Sequence, residues 1–307
     1  MAVYDVAAYV ESAIASALAQ TLGDLEVIVV DDGSSDGTAD LAEGMADPRV
    51  RVIRLSHAGP APALNRGIAE AKGRYVAIFD GDDLWDRNKL HAQVSLMDDR
   101  PDVDLTFCLS GTIDAQGRDL GMTSRPWVGP VPFERLLVDN IIACGSTVVL
   151  RKSALLDVGS FDASLLAAQD WDLWLRMAMR RPGNVWCVPE VLTSYRRRQG
   201  QITRDWRLMY DCLTKVYQRH RGQGRAKQAS LEREARCNLF RYLAVLNYEL
   251  GHGRQGLALL ARSFAASPAK FLRTQRSYLV LGALLARTLL PEAAFKALER
   301  AVRGCSA

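Results

Sequence analysis

Asp80-Gly81-Asp82-Asp83 stands directly after the apolar run Tyr75-Val-Ala-Ile-Phe79 and crowds three carboxylates onto one tight turn. Such groups repel one another unless a cation or hydrogen-bond donors neutralise them. Hard oxygen ligands in this pattern suit Mg²⁺ or Mn²⁺, usually shared with substrate phosphates, although an acidic turn that caps the next helix needs no ligand. A second acidic loop, Asp31-Asp32-Gly33-Ser34, follows the β-branched run Leu25-Glu-Val-Ile-Val-Val30. A carboxylate there can accept from a base or from ribose hydroxyls, and the same residues also make an ordinary turn. A third group is Asp170 and Asp172, spaced i,i+2 on an amphipathic helix, so that their side chains point about 200° apart and only one can reach a given pocket. Framed by Trp171 and Trp174, such a carboxylate can serve as a general base or as a helix N-terminal cap.

The elements that must position these groups follow from apolar periodicity. Helical spacing over 7–22 precedes the strand at 25–30, and a loop of turn formers then leads into a short helix through Ala46, capped by Ser35 or Asp36. A strand over 50–55, a helix over 63–72 closed by Gly73 and a buried strand over 75–79 come next, followed by a helix near 86–99 and strands at 103–109 and 146–150. A helix over 167–181 and a short strand pair over 185–195 complete the pattern. Short apolar runs alternating with helices predict a mostly parallel sheet covered by helices. Acidic loops at successive strand ends then share one sheet edge, where open α/β sheets bind ligands. Beyond Gln199 the pattern is helical only, and a domain boundary is placed near residue 204. The stretch 231–268 resembles one helix pair of repeat type, but one unit is not an array.

The chain has 307 residues, 49% hydrophobic and 24% charged, which fits a folded domain plus an appendage and excludes disordered, collagenous and small disulfide-scaffold classes. Its net charge of +4 hides an asymmetry: residues 196–307 hold 22 Lys+Arg against 7 Asp+Glu, whereas residues 1–195 carry a balance of −11. Six cysteines (108, 144, 187, 212, 237 and 305) form no C-x-x-C pair, so neither a zinc site nor a disulfide framework is expected. Asp5 and Glu11 interrupt the first stretch, and Arg287 interrupts the apolar run 278–290, so neither a secretory signal nor a membrane span is expected.

Taken in order, Val3-Tyr4-Asp5, Ala19-Gln20-Thr21, Val29 to Thr38, Ala63-Leu64-Asn65-Arg66-Gly67, Asp80 to Asp83, Gly159-Ser-Phe161-Asp162 and Gln169-Asp170-Trp171-Asp172-Leu-Trp174-Leu-Arg176 resemble glycosyltransferase family 2. The resemblance covers roughly residues 2–200. It implies a GT-A fold with a helical C-terminal extension, and an inverting transfer from a nucleotide-diphosphate sugar to an acceptor hydroxyl, supported by Mg²⁺ or Mn²⁺. It also implies roles. Tyr4 packs on the base and Asp32 hydrogen-bonds it, with Asn65 also at the nucleotide; Asp80 lies nearer the ribose, Asp82 on the metal, and Asp83 supports both. Asp170 deprotonates the acceptor, with Trp171 beside it. Arg198, in Tyr195-Arg196-Arg197-Arg198, takes the place of a histidine often found in the family; it can pair with the diphosphate but cannot coordinate a metal. Two departures stand out: the family's first strand is nearly absent ahead of Tyr4, and Gln169 occupies a position that is often acidic.

These expectations divide the chain into a nucleotide-sugar-binding and catalytic domain, 1–204, and a basic helical extension, 205–307. The acceptor is a glycan, a lipid-linked sugar or another hydroxyl, and the setting is bacterial-type cell-surface polysaccharide or glycolipid synthesis in the cytoplasm. No nucleic-acid module is visible among the basic residues. Leu279, Val280, Leu281, Leu284 and Leu285 beside Arg273, Arg276 and Arg287 can instead rest on an anionic membrane face, such as the inner face of the plasma membrane, or pack against the rest of the chain. Two other readings compete: a non-catalytic sugar-nucleotide-binding or scaffold module, and a haloacid-dehalogenase-like phosphatase with Asp80 as nucleophile. Leu84 stands where that phosphatase loop expects Thr or Val. Neither a G-x-G-x-x-G nor a P-loop is present.

Overall fold

The computed structural model of the chain describes residues 1–223, 229–291 and 293–295. Two compact units emerge: Met1–Leu136 with Asn140–Gln201, and Leu137–Asp139 with the described residues from Ile202 onward.

In the first unit a parallel three-stranded sheet holds β1 (Ala2–Val3), β2 (Val27–Asp31) and β3 (Val50–Arg54) in that order. Successive β2 side chains point to opposite faces, and both faces are covered. Val27 and Val29 join Val10, Ala13, Ile14 and Ala17 of α1 (Val10–Leu18), while Ile28 and Val30 meet Ala63 of α3 (Pro60–Glu70). Between them α2 (Thr38–Gly44) has Gly37, at φ 89°, as its N-cap rather than the expected Ser35 or Asp36; Asp36, one residue earlier, still accepts from the Thr38 amide at 3.0 Å.

A second, mixed sheet runs β4 (Tyr75–Ala77), β9 (Val148–Arg151), β6 (Leu105–Ile113), β10 (Val185–Arg196), β5 (Leu84–Trp85), with β7 (Asp119–Thr123) on β6 and β8 (Gly129–Pro130) on β10. Only the β6–β10 pair is parallel. The expected strand pair over 185–195 is one long strand instead. Proline cannot donate a ladder hydrogen bond, and the registers shift between Val188 and Thr193, around Pro189, without the chain turning back. Helices α4 (Lys89–Asp99), α5 (Phe133–Val138), α6 (Lys152–Asp157) and α7 (Gln169–Arg180) complete this part of the chain.

β1 lies between the two sheets at their functional end. Ala2 pairs with Val30 on one side and forms a parallel bridge to Asp80 on the other, and the Met1 amino group donates to Ile28 O at 2.8 Å. A cleft of about 750 Å³ is lined by residues that include Val27, Ile28, Tyr75, Val76 and Ala77.

The second unit is helical: α8 (Trp206–His220), α9 (Ala229–Glu249), α10 (Gly253–Ala266), α11 (Pro268–Arg273) and α12 (Gln275–Leu289). Asp205 caps α8 by accepting from the Arg207 and Leu208 amides. Gly256 lets α10 approach its neighbours closely, since a Cβ there would stand 2.4 Å from Leu284 and 3.2 Å from the Ala244 carbonyl. Among the described residues no helix is long and apolar enough to cross a membrane. Cys108, Cys144, Cys187, Cys212 and Cys237 are buried free thiols, and Cys305 lies outside the described residues.

Candidate active site

Several chain segments meet at the functional edge of the sheets. The turn after β4 presents Asp80, Asp82 and Asp83; Asp80 is half-buried, while Asp82 and Asp83 are buried. Gly81 is needed for space, because a Cβ there would lie 2.6 Å from Val3 Cγ1 and 3.1 Å from Val6 Cγ2. The Asp80 amide donates to Ser146 Oγ at 3.0 Å, and Trp85 Nε1 donates to Ser146 O at 2.8 Å, so Ser146 pins both ends of the turn.

Asp170 opens α7 and bonds the Trp171 amide at 2.8 Å. Burial pushes its carboxyl above the usual range. Asp172, two residues on, is fully buried and pairs with Arg176 at 2.8 Å. Arg176 in turn donates to the Val158 and Ser160 carbonyls, so Asp172 holds the loop before the helix while Asp170 faces the acidic turn. The Asp80 carboxyl is pushed up to about 7, first by burial and then by the negative charges of Asp82 and Asp170. Carboxylates some ninety positions apart in sequence therefore share one electrostatic field. Trp171 is buried and donates through Nε1 to Leu136 O at 2.9 Å, which makes it a support for α7.

On the nucleotide side Tyr4 is 46% exposed. Its ring lies 4.4 Å from that of His57, whose Nδ1 is 2.9 Å from Asp32 Oδ2. Asp32 is buried, and its two carboxylate oxygens accept from the Ala58 and Gly59 amides at 2.9 Å each, which moulds the 57–59 loop beside Tyr4. Asn65 uses both ends of its amide on the backbone of Phe161, accepting from its N–H at 2.9 Å and donating to its carbonyl at 2.8 Å. In this structure it clamps the Gly159–Asp162 loop rather than projecting toward Tyr4.

The end of β10 brings in the arginines, because Thr193 and Ser194 pair with Trp85 and Leu84 next to the acidic turn. Arg198 Nε donates to Asp82 Oδ2 at 2.6 Å. Arg196 is buried; its amide donates to Asp83 Oδ1 at 2.8 Å and its Nε to Asp82 O at 2.7 Å, with the guanidinium 4.8 Å from the Tyr9 ring. His57, Ser146, Arg196 and Gln201 are contributors that sequence reasoning had not singled out; only the position of Arg196 in an arginine run hinted at one of them. Among the described residues no three His, Cys, Asp or Glu side chains are grouped as metal ligands. Three carboxylates, Asp80, Asp82 and Asp170, with one ion pair among them, Arg198 to Asp82, nevertheless fit a hard cation completed by phosphate oxygens.

A sheet edge with a D-x-D turn, a facing carboxylate and a moulded loop beside an exposed tyrosine belongs to the GT-A class of transferase folds. Solved structures agree on the fold. TarS of Staphylococcus aureus in complex with UDP superposes with a TM-score of 0.62 at 17% identity, over 99% of this chain and 90% of that one. The mannosyltransferase PcManGT of Pyrobaculum calidifontis, with GDP-Man and Mn²⁺, gives 0.62 at 19% identity, over 94% and 84%. Residues 1–158 match the family described as Glycosyl transferase family 2, and the chain belongs to it. An uncharacterized glycosyltransferase of Rickettsia typhi is 31% identical over 66% of this chain, and the match spans 64% of that relative's length. An uncharacterized protein of Mycobacterium tuberculosis is 29% identical over 80% of this chain and 72% of its own. Family membership removes the phosphatase reading.

Proposed function

We propose that the chain is an inverting glycosyltransferase that moves a sugar from a nucleotide-diphosphate donor to an acceptor hydroxyl, in bacterial-type cell-surface polysaccharide or glycolipid synthesis. Residues 1–204 bind the donor and carry the chemistry, and residues 205–307 form the basic helical extension. The observation that carries this reading is the convergence of Asp82 and Asp170 on Asp80. Asp170 takes the proton from the acceptor oxygen. That oxygen forms its bond to the anomeric carbon as the bond to the diphosphate breaks on the opposite face, so configuration inverts in one displacement. The raised proton affinity of Asp170 suits it to accept that proton near neutral pH. Tyr4 and the 57–59 loop held by Asp32 receive the base, Asp80 lies at the ribose side, and Asp83 and Arg196 keep the turn in place. Asn65 contributes through the loop it clamps. A Mg²⁺ or Mn²⁺ ion held by Asp82 would neutralise charge growing on the departing diphosphate.

The test is nucleotide release from a panel of UDP-, GDP- and TDP-sugars with Mn²⁺, in the wild type and in Asp170→Asn. At least one donor should turn over, and the variant should lose on the order of 10²- to 10⁴-fold in kcat while still binding donor. Donor binding without turnover in the wild type would make the chain a sugar-nucleotide-binding module instead.

We also place the chain at the cytoplasmic face of a membrane. In α12 Leu279 and Leu289 are 66% and 74% exposed, and Arg276 is exposed beside them. Apolar side chains interleaved with cations favour an anionic lipid surface. Sedimentation with phosphatidylglycerol vesicles should fall in Leu279→Glu/Leu289→Glu; unchanged sedimentation would remove this location.

A further inference from the structure

Arg196 and Arg198 leave the same strand end and serve different purposes. Arg196 is fixed: besides its bonds to Asp82 and Asp83, its guanidinium donates to the Asp114 carbonyl at 3.1 Å and the Ala115 carbonyl at 3.4 Å. Arg198 sits on a turn closed on itself, in which its amide donates to Gln201 Oε1 at 3.2 Å and Gln201 Nε2 donates to Arg196 O at 2.7 Å. Gly200, at φ 80°, supplies the backbone conformation the turn requires. The Arg198 side chain reaches from this turn to Asp82 Oδ2, with Gln201 Nε2 3.5 Å from the same oxygen. A guanidinium on a long flexible stem is thus docked on the carboxylate that the proposed reaction assigns to the metal.

We propose that Arg198 is the site's own counter-cation: it neutralises Asp82 while no donor is bound and transfers to the donor's diphosphate on binding, so that Arg198 and a divalent ion compete for Asp82. This rests on the assignment of Asp82 to the metal. A planar fork of N–H donors pairs as well with a phosphate as with a carboxylate, so the exchange replaces one charge-assisted contact with another. Without a diphosphate, an ion approaching Asp82 must break the Arg198 pair and leave the guanidinium unmatched; with a diphosphate present, that cost is offset. Ion and diphosphate therefore bind cooperatively, and each raises the affinity for the other by the same factor.

The experiment measures Mn²⁺ affinity by the loss of the free-ion electron paramagnetic resonance signal, with and without inorganic pyrophosphate. Pyrophosphate serves as a probe that needs no matching base, and its own affinity for Mn²⁺ is subtracted. In the wild type, pyrophosphate should tighten Mn²⁺ binding by on the order of tenfold, within the usual range for coupled sites. Arg198→Gln should bind Mn²⁺ alone about that much more tightly and lose most of the coupling. Arg197→Gln removes the same charge from an exposed neighbour and should keep the wild-type pattern. Equal gains in both variants would mean that general electrostatics rather than exchange is at work, and weaker or unchanged Mn²⁺ binding in Arg198→Gln would overturn the proposal. Asp82→Asn separates this failure from that of the underlying assignment: if it leaves Mn²⁺ binding intact, Asp82 is not the ligand.

Discussion

Lys89 offers a sharp physical test because its charge is buried without a carboxylate partner. It opens α4, is fully buried, and has its Nζ 4.3 Å from the centroid of Trp85, with no hydrogen-bond partner for that nitrogen among the described residues. Burial lowers its pKa from the ordinary 10.5 to about 8, opposed weakly by the thiols of Cys108 and Cys144. Between about pH 8 and 10.5 the unfolded chain therefore holds a proton that the folded chain has released, and stability due to this group rises with pH across that window. Below it the charged lysine costs about 3 kcal/mol, taking about 1.4 kcal/mol for each pH unit of displacement. The contact with the Trp85 face returns up to about 2 kcal/mol of this. Lys89→Met keeps the length and removes the charge, so it should stabilise the protein at pH 7 by roughly 1 to 3 kcal/mol. The assay is urea unfolding followed by tryptophan fluorescence, for wild type and variant, from pH 7 to pH 10. Subtracting one curve from the other cancels the other titrating groups, and the advantage of the variant should shrink by roughly 1 to 2.5 kcal/mol between pH 7 and pH 10 as Lys89 loses its proton. A pH-independent difference, or a variant less stable than wild type at pH 7, would refute the reasoning. Donor binding should survive the change, since Lys89 faces Trp85 and not the carboxylates.

Two further outcomes follow from close packing and buried charge. Gly81→Ala should cost about 1 to 3 kcal/mol and raise the donor KM, because its Cβ would press on the buried Val3 and displace the acidic turn; adding Val3→Ala should restore both, and a Gly81→Ala protein with wild-type stability would show that the turn has room. Asp104 is buried and accepts from Arg180 at 2.8 Å, Arg181 at 2.7 Å and Asn184 at 3.1 Å, so Asp104→Ala should lose about 3 to 5 kcal/mol by urea unfolding, and a loss below about 1 kcal/mol would mean that the arginines find other partners.

The parts of the site that sequence shows are those encoded within a few neighbouring residues. An apolar run followed at once by carboxylates and glycine has few structural solutions, so β2 and β4 are legible as strands with acidic ends; that they belong to two sheets, linked by the Ala2–Asp80 bridge, is not. The i,i+2 spacing of Asp170 and Asp172 likewise requires that they diverge, and they do, one toward Asp80 and one onto Arg176. Spacing alone does not say which of the two turns inward, because that depends on where Arg176 meets the Val158 and Ser160 carbonyls. The failure at 185–195 has a related cause: β10 stays paired with β6 on either side of Pro189 and absorbs the proline in register shifts instead of reversing.

Roles that depend on a distant partner were the least legible. Asn65 looks like a ligand-facing amide until Phe161, 96 positions away, is seen to occupy both of its ends. Arg198 is marked in sequence only by the family position it occupies, and nothing near it shows that its partner is a carboxylate of the acidic turn. Its partner Asp82 lies 116 positions upstream and reaches it only because β10 pairs with β5. The distinction among the three arginines is one of register: successive residues of an extended chain alternate faces, so Arg196 and Arg198 share the side that carries Asp82 and Arg197 takes the other. A one-residue shift of β10 against β5 would bring Arg197 to the acidic turn and leave Arg198 outside. The charge balance of the site is therefore a property of strand register, which depends on the core packing of the whole sheet rather than on the arginine run itself.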